Sequence, residues 1–599
     1  MLEPRIYRAA LLPALAALLV LMFSLEPLPA PLPQELAADV LFDGRSARTE
    51  AAAIARLEPD RRAGGPGDRA TAQRVGRALA ARGFDVTQDA FSADGRALVN
   101  VVGGRAGSSR RQIVVMAARD AGSVPDLAGS AADTAALLEV ARVLEGRATR
   151  RTIVLASVDG SMLGDAGARR FVASEPELDR VDAVLVLSHL GVAGVGVVRP
   201  LVAWSSDASR GSLGLERTAA ASLAIESGSP APEEGAFGQL VRLAAPLGIG
   251  DQGPVLARDV AAVRLSGDGE LPQPSPRLDA DRYGELGRTT LRTIAALDSG
   301  GPPDHGPASY VVVGSQLAPD WALAALALAL LLAPLAAAVD ALARARRRAQ
   351  PLGLWFAWVL AGALAFAVGL LAAELIAVAE IGSEPPSAPF PPASDPLDAA
   401  GALTLALTAL AVALAWALGR RRLLRRLTLG DPSAPAAGVA VALIAVLAVL
   451  ALWGANPFAA LLLAPLANAI AIGVLGAMGA RTAAALLVAG LIPPLAGALL
   501  YLRRLSLDPL AGAWYAIELV TGGHVHAVTL LVACVLLGAL ASAGAVLLAR
   551  TRAQPPRSAV PRGARAGRPR ASRTRSSSSE RAFKLASSTT PASDGTPIT

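Results

Sequence analysis

Asp120, Asp126, Asp133, Asp159, Asp251 and His189 are the side chains of this chain whose types and positions could do chemistry. Carboxylates and an imidazole at the ends of apolar runs are donors suited to a metal ion or a polar substrate group. His189 with Asp126 or Asp133 is the combination that could hold a metal. The plainer reading is that Asp at strand ends caps and turns the backbone, while a lone histidine packs or caps. The other histidines, at 305, 524 and 526, stand far away in the chain, the last two in a Gly522-Gly523-His524-Val525-His526 stretch that fits an interfacial loop.

The elements that must position these residues follow from apolar runs. Gln112 to Ala117, Thr152 to Ala156, Ala183 to Leu187 and Val260 to Leu265 have the length and composition of buried strands, and they alternate with helical runs such as Asp133 to Leu144. That alternation predicts an α/β sandwich around a mostly parallel sheet. The turns carry recognisable motifs. Met116-Ala117-Ala118-Arg119-Asp120 closes one strand, and Val158-Asp159-Gly160-Ser161-Met162-Leu163-Gly164 closes the next. Ser188-His189-Leu190-Gly191 and Gly250-Asp251-Gln252-Gly253-Pro254-Val255 follow further on.

With these motifs, residues 41–299 resemble the co-catalytic di-zinc aminopeptidases (peptidase family M-28, zinc-exopeptidase fold). The four turns are similar to that family's A-H-x-D, D-G-E-E-L-G, aspartate-ligand and S-D-H-x-P-F turns. Phe42-Asp43-Gly44, the Gly64-Gly65-Pro66-Gly67 loop and the helix and strand from Val75 to Phe91 extend the likeness. The resemblance implies a zinc pair held by two histidines, a bridging aspartate, a glutamate and an aspartate, with a second glutamate as general base. At the matching positions this chain has Ala118, Ala128 or Gly129, Met162 and Ser188, no histidine between Leu265 and Asp304, and Ser161 for the base. The resemblance therefore implies a degenerate member, without catalytic residues, bound zinc or another cofactor. Asp120, Asp126, Asp133, Asp159, His189 and Asp251 remain as polar cleft residues. The loss is chemically coherent, because carboxylates clustered in a cleft without metal repel one another and suffer desolvation.

Composition places the rest of the chain in a membrane. Hydrophobic residues make up 53% and charged residues only 18%, too apolar for an ordinary soluble protein of this length. The basic excess is almost wholly arginine, Lys584 being the sole lysine, and no basic patch with interleaved aromatics points to nucleic acid. Cys534, the one cysteine, excludes an intramolecular disulfide. Residues 1–24 fit a signal anchor or a cleaved signal peptide, and 25–40 a proline-rich linker. After a Gly/Pro linker at 300–318, residues 319–550 hold about seven runs close to the ~20 apolar residues a crossing needs. Residues 551–599 form a basic Ser/Pro-rich tail predicted to be disordered and cytoplasmic.

Arginines at 344, 346–348, 420–422, 425, 426, 550 and 552 fall on one side by alternation, which the positive-inside bias makes cytoplasmic. The α/β domain and the Glu380–Asp398 loop then lie outside. Arg503 and Arg504 break the pattern unless Leu510 to Thr521 is a further short or re-entrant segment. The plan resembles the large subunit of glycosylphosphatidylinositol transamidase, which also joins an aminopeptidase-like domain to a bundle of spans. The favoured reading is a non-catalytic multi-pass protein of the cell membrane, partnered by the lipid bilayer and by a peptide, protein or envelope ligand. Two alternatives stand beside it. One is an active membrane metallopeptidase with zinc on displaced ligands among Asp120, Asp126, Asp133, His189 and Asp251; the other is a transporter-like bundle with a sensing domain.

Overall fold

The computed structural model describes residues 3–34, 41–192, 194, 198–272, 277–379, 389–426 and 431–553. The expected disordered tail lies outside the described residues from 554 onward, as do residues 35–40 of the linker and 380–388 of the acidic loop.

Ten strands occur in chain order among the described residues: β1 (Glu26–Pro27), β2 (Asp85–Ala93), β3 (Arg96–Arg105), β4 (Ser109–Ala118), β5 (Arg151–Val158), β6 (Val181–Ser188), β7 (Leu201–Val202), β8 (Ala262–Ser266), β9 (Tyr310–Val313) and β10 (Gln316–Pro319). Seven of them make one sheet in the order β2-β3-β5-β4-β6-β8-β7. The central strands β5, β4, β6 and β8 run parallel, and antiparallel ladders flank them. The apolar runs predict this centre, because a parallel strand covered on both faces has no solvent side to make polar.

Side chains alternate across the sheet, so each central strand feeds two cores. From β4, Ile113, Val115 and Ala117 pack with the helices Gly44–Leu57, Ala132–Leu144 and Ala280–Ser299. Val114 and Met116 pack on the opposite face with Phe171 and Val172 of helix Ala166–Ser174 and with Val255 and Leu256. Local chemistry starts the helices. The Asp43 carboxylate accepts the amides of Arg45 and Ser46, and Asp279 accepts those of Asp281 and Arg282, satisfying donors that a helix N-terminus leaves free.

Arg119 lies entirely inside the domain, just past the end of β4. Its guanidinium donates to both oxygens of Asp68 at 2.8 and 3.2 Å and to the carbonyls of Val99 and Ser157. Asp159 lies 3.5 Å from the same group. This buried fork joins helix Pro66–Ala81, β3, β4 and β5 beneath the carboxyl ends of the parallel strands.

Among the described residues, eight helices are long and apolar enough to cross a membrane: Pro4–Phe23, Asp320–Arg347, Leu352–Val378, Ala399–Gly419, Pro435–Ala455, Pro457–Leu475, Ala480–Arg504 and Ala527–Arg552. The N-terminal helix is part of the bundle, with the Tyr7 hydroxyl 2.5 Å from Asn468 of the sixth span. Pro509–Thr521 is a helix of 13 residues, about 20 Å long and too short to cross. Of the two arginines that break the alternation, Arg504 meets the α/β domain at that end of the seventh span. Arg504 pairs with Glu234 at 2.5 Å and lies 3.8 Å from Glu270, and the Tyr501 hydroxyl donates to the Ala245 carbonyl. Asn456, between the fifth and sixth spans, donates to the carbonyls of Leu243 and Ala244.

Substituting Arg119→Ala should destabilise the protein by about 3–5 kcal/mol, since it leaves Asp68 buried without its counter-charge. Thermal unfolding of the full chain in detergent checks this. A melting temperature equal to that of the unaltered protein would show the fork to be dispensable.

Candidate functional site

The parallel strands end side by side at Ala118, Val158, Ser188 and Ser266, and the loops that leave them surround a cavity of about 330 Å³. A crevice at the carboxyl ends of parallel strands is where open α/β sheets place their ligands. Asp120, Asp126, Asp133, His189 and Asp251 all line this cavity, together with Ala118, Ser161, Met162 and Ser188. Asp159 does not line it. That aspartate is fully buried below, where it accepts the Val99 amide at 3.0 Å and faces Arg119, so it belongs to the framework rather than to the cleft.

The lining carboxylates form two groups. In the first, Asp120 accepts the backbone amides of Ser161 and Met162, each at 2.9 Å. It thereby fixes the turn after β5, and the Ser161 hydroxyl donates to Asp251, 3.0 Å from both carboxylate oxygens. Burial, with the nearby Asp120 charge, raises Asp251 to about 7 against the opposing pull of the Ser161 hydroxyl and Arg264. Asp165 stands close by, raised well above the usual carboxylate range by burial and by Asp251, and its Oδ2 has no hydrogen-bond partner among the described residues.

In the second group, His189 adopts a left-handed backbone conformation (φ 51°) that turns the chain sharply after β6. Its amide donates to Asp133 at 2.5 Å and its Nδ1 lies 2.6 Å from Asp268. Burial opposes the imidazolium, but the hydrogen bond and charge of Asp268, joined by Asp133 and Asp126, outweigh it and raise His189 to about 9. Burial holds Asp133 well above its ordinary range. Asp268 is itself held low: burial works against ionisation, and the bonds from His189 and Ser266 overcome it.

Asp126 turns away from both groups. Its carboxylate folds back to accept the amide and hydroxyl of Ser130 at 3.0 and 2.8 Å. Gly129 is essential to that fold, since a β-carbon there would fall 2.3 Å from Asp126 Oδ1. A side chain at 129 and the present position of the Asp126 carboxylate exclude each other.

Among the described residues, no group of three or more His, Cys, Asp or Glu side chains converges as metal ligands must. The five residues considered as displaced zinc ligands share a cavity without sharing a centre. Zinc wants donors about 2.0–2.2 Å away in a tetrahedron, whereas these carboxylates already accept backbone amides and hydroxyls. The site also includes Asp165, Arg264, Asp268 and Glu270 and the membrane-domain residues Pro389, Phe390, Pro391, Ala393 and Ser394, none of them singled out in the sequence. Asp268 carried one signal, its position just after the strand Val260 to Leu265. The Pro389 segment, more than a hundred residues from β8, carried only its place in the Glu380–Asp398 loop, which the arginine alternation puts on the same side as the α/β domain.

No protein-family model matches the chain, and no curated protein matches it. Among solved structures the chain is similar to BSAP, a zinc aminopeptidase from Bacillus subtilis, at 12% identity and a TM-score of 0.37, covering 44% of this chain and 98% of that one. It is similar to a glutaminyl cyclase from an Acidobacteriales bacterium at 17% identity and a TM-score of 0.35, covering 45% and 98%. LapB from Legionella pneumophila is similar at 16% identity and a TM-score of 0.38, covering 47% and 80%.

The raised Asp251 predicts a specific pH response. The folded state holds this proton up to about pH 7, whereas the unfolded chain releases it near 3.8. Stability therefore falls as pH rises through that window. Asp251→Asn, which still accepts from Ser161, should leave the melting temperature unchanged near pH 4 and raise it progressively toward pH 8. An equal effect at both ends would mean that Asp251 is ionised throughout.

Proposed function

We propose that this chain is a membrane-anchored, non-catalytic relative of the zinc aminopeptidases whose α/β domain binds a peptide, protein or envelope component. The observation that carries the reading is the turn held by Asp120. It presents Ser161 and Met162 to the cavity where the family would present a general base and a metal ligand. A hydroxyl cannot take a proton from water at neutral pH as a carboxylate can, and loss of a general base alone costs factors of ~10² to 10⁴. Gly129, Ala118 and Ser188 supply no donor charge either, and the carboxylates that remain are held by other partners. Zinc does not fit this donor set.

What the cavity retains is a binding site. It is concave, mixes apolar walls from Val186, Leu187, Ile249 and Phe390 with buried acids, and lies at the low end of ligand-pocket volumes. A destabilised acid such as Asp251 or Asp165 is a cost to the fold that a cationic or hydrogen-bonding ligand would relieve. The architecture, one such domain placed between a first span and seven more, is the plan that resembles the transamidase subunit. In this reading the bundle anchors the binding domain or assembles it with partners.

Arginine placement orients the whole. Arg344, Arg346 and Arg347 end the second span, and Arg550 and Arg552 end the eighth, at the ends remote from the α/β domain in the alternation of helices. The positive-inside bias puts those ends in the cytoplasm and the domain outside. Arg504 lies on the domain side because Glu234 and Glu270 hold it there, so it does not contradict the bias.

Two outcomes are expected. Purified full-length protein should contain no stoichiometric zinc and release no amino acid from peptide substrates. Stoichiometric zinc with chelator-sensitive activity, lost on Asp251→Ala or His189→Ala, would establish the metallopeptidase alternative. Reporter fusions should place residue 145 outside the cytoplasm and residue 348 inside, and the opposite pattern would invert the topology.

A further inference from the structure

The cavity is bordered in part by a segment that does not belong to the α/β domain. Pro389, Phe390, Pro391, Ala393 and Ser394, from the connection between the third and fourth spans, line it together with Ser161 and Ser188. The segment is fastened to the short helix Pro509–Thr521. The Tyr515 hydroxyl donates to the Phe390 carbonyl at 2.7 Å, and the two rings meet edge to face with centroids 5.3 Å apart. Leu247 and Ile249 of the α/β domain and Leu505 join them in one apolar cluster.

One turn further along that helix, Glu518 is 2% exposed, and its two oxygens find no donor among the described residues. The group within hydrogen-bonding reach is the carboxyl of Asp395, the residue after the capping segment. Two ionised carboxylates cannot satisfy each other, since both only accept. A proton on one of them turns the contact into a short, charge-assisted hydrogen bond. Burial, followed by the bond and charge of Asp395, raises Glu518 to about 9, so that proton is present at neutral pH. The other titratable groups around Tyr515 are Tyr501 and Glu270.

We propose that Pro389–Ser394 is a built-in cap on the cavity, latched by the Glu518–Asp395 carboxyl pair and the Tyr515–Phe390 contact, and that a ligand reaches the floor only when the latch releases. The proposal rests on reading the cavity as a binding site, but its test measures access alone. Failure to find a ligand and failure of the cap are therefore separate results.

The experiment uses the full chain in detergent with Cys534→Ala and a cysteine reporter at Ser188→Cys on the cavity wall. A cationic, water-soluble methanethiosulfonate supplies the labelling rate. A second reporter, Arg48→Cys on an exposed helix of the domain, gives the reference rate. Labelling at 188 should be slow with the native latch and stay slow in Glu518→Gln, whose amide still donates to Asp395. It should become several-fold faster in Glu518→Ala and in Tyr515→Phe, with the rate at 48 unchanged. Equal rates at 188 in every background would overturn the cap. Acceleration at both reporters would overturn it as well, by showing general loosening. Acceleration in Glu518→Gln equal to that in Glu518→Ala would overturn the shared proton. If Glu518→Ala fails to fold, Tyr515→Phe and Glu518→Gln still decide between these outcomes.

Discussion

The carboxylate of Asp120, gripping the amides of Ser161 and Met162, is the contact on which the site depends. A buried carboxylate needs donors, and two backbone amides supply them without requiring a cation. That choice fixes the turn after β5 and aims the Ser161 hydroxyl at Asp251. The same logic recurs across the cavity. Asp126 satisfies itself on Ser130, Asp133 on the amide of His189, and Asp268 on the His189 ring. Each of these acids has a local partner within the fold.

The framework beneath is equally self-sufficient. Arg119 follows Ala118 at the end of β4, and it turns inward rather than toward the cavity. Its fork on Asp68, with Asp159 alongside, locks three strands and a helix into register below the site. A guanidinium suits this place because its planar donors match a carboxylate and two carbonyls at once. Through that fork Asp159 becomes part of the scaffold, although its neighbours in sequence reach the cavity.

Much of the α/β domain was legible because buried parallel strands are written as unbroken apolar runs. Those around Val114, Leu155, Leu185 and Val263 each fell where a strand lies. The turns were legible as motifs, and the cavity residues Asp120, Asp126, Asp133, His189 and Asp251 came with them. Their partners were not legible, since spacing says nothing about which amide a carboxylate will accept. That Asp159 would point down while Asp120 points at a turn depends on strand register and on Arg119. The spans were legible from length and hydropathy. The role of Arg504 was not, because charge counting assumes that an arginine meets lipid headgroups or water, and here it meets Glu234. The position of Phe390 over the cavity depends on how the spans pack, which no local pattern records.

The small sheet at the junction bears on where the domain can act. Strand β1 follows the first span within three residues, and β10 runs directly into the second. Both are paired in one three-stranded sheet with β9. The whole α/β domain is thus a loop whose entry and exit are stitched together, with Asn456, Tyr501 and Arg504 holding it at further points. A domain on one flexible tether sweeps a volume set by the length of its linker. One fastened in this way sweeps almost none. Whatever it meets must come to it within a domain's height of the bilayer, so a partner held in the same membrane would encounter it by diffusion in two dimensions, whereas a soluble one would have to approach that surface.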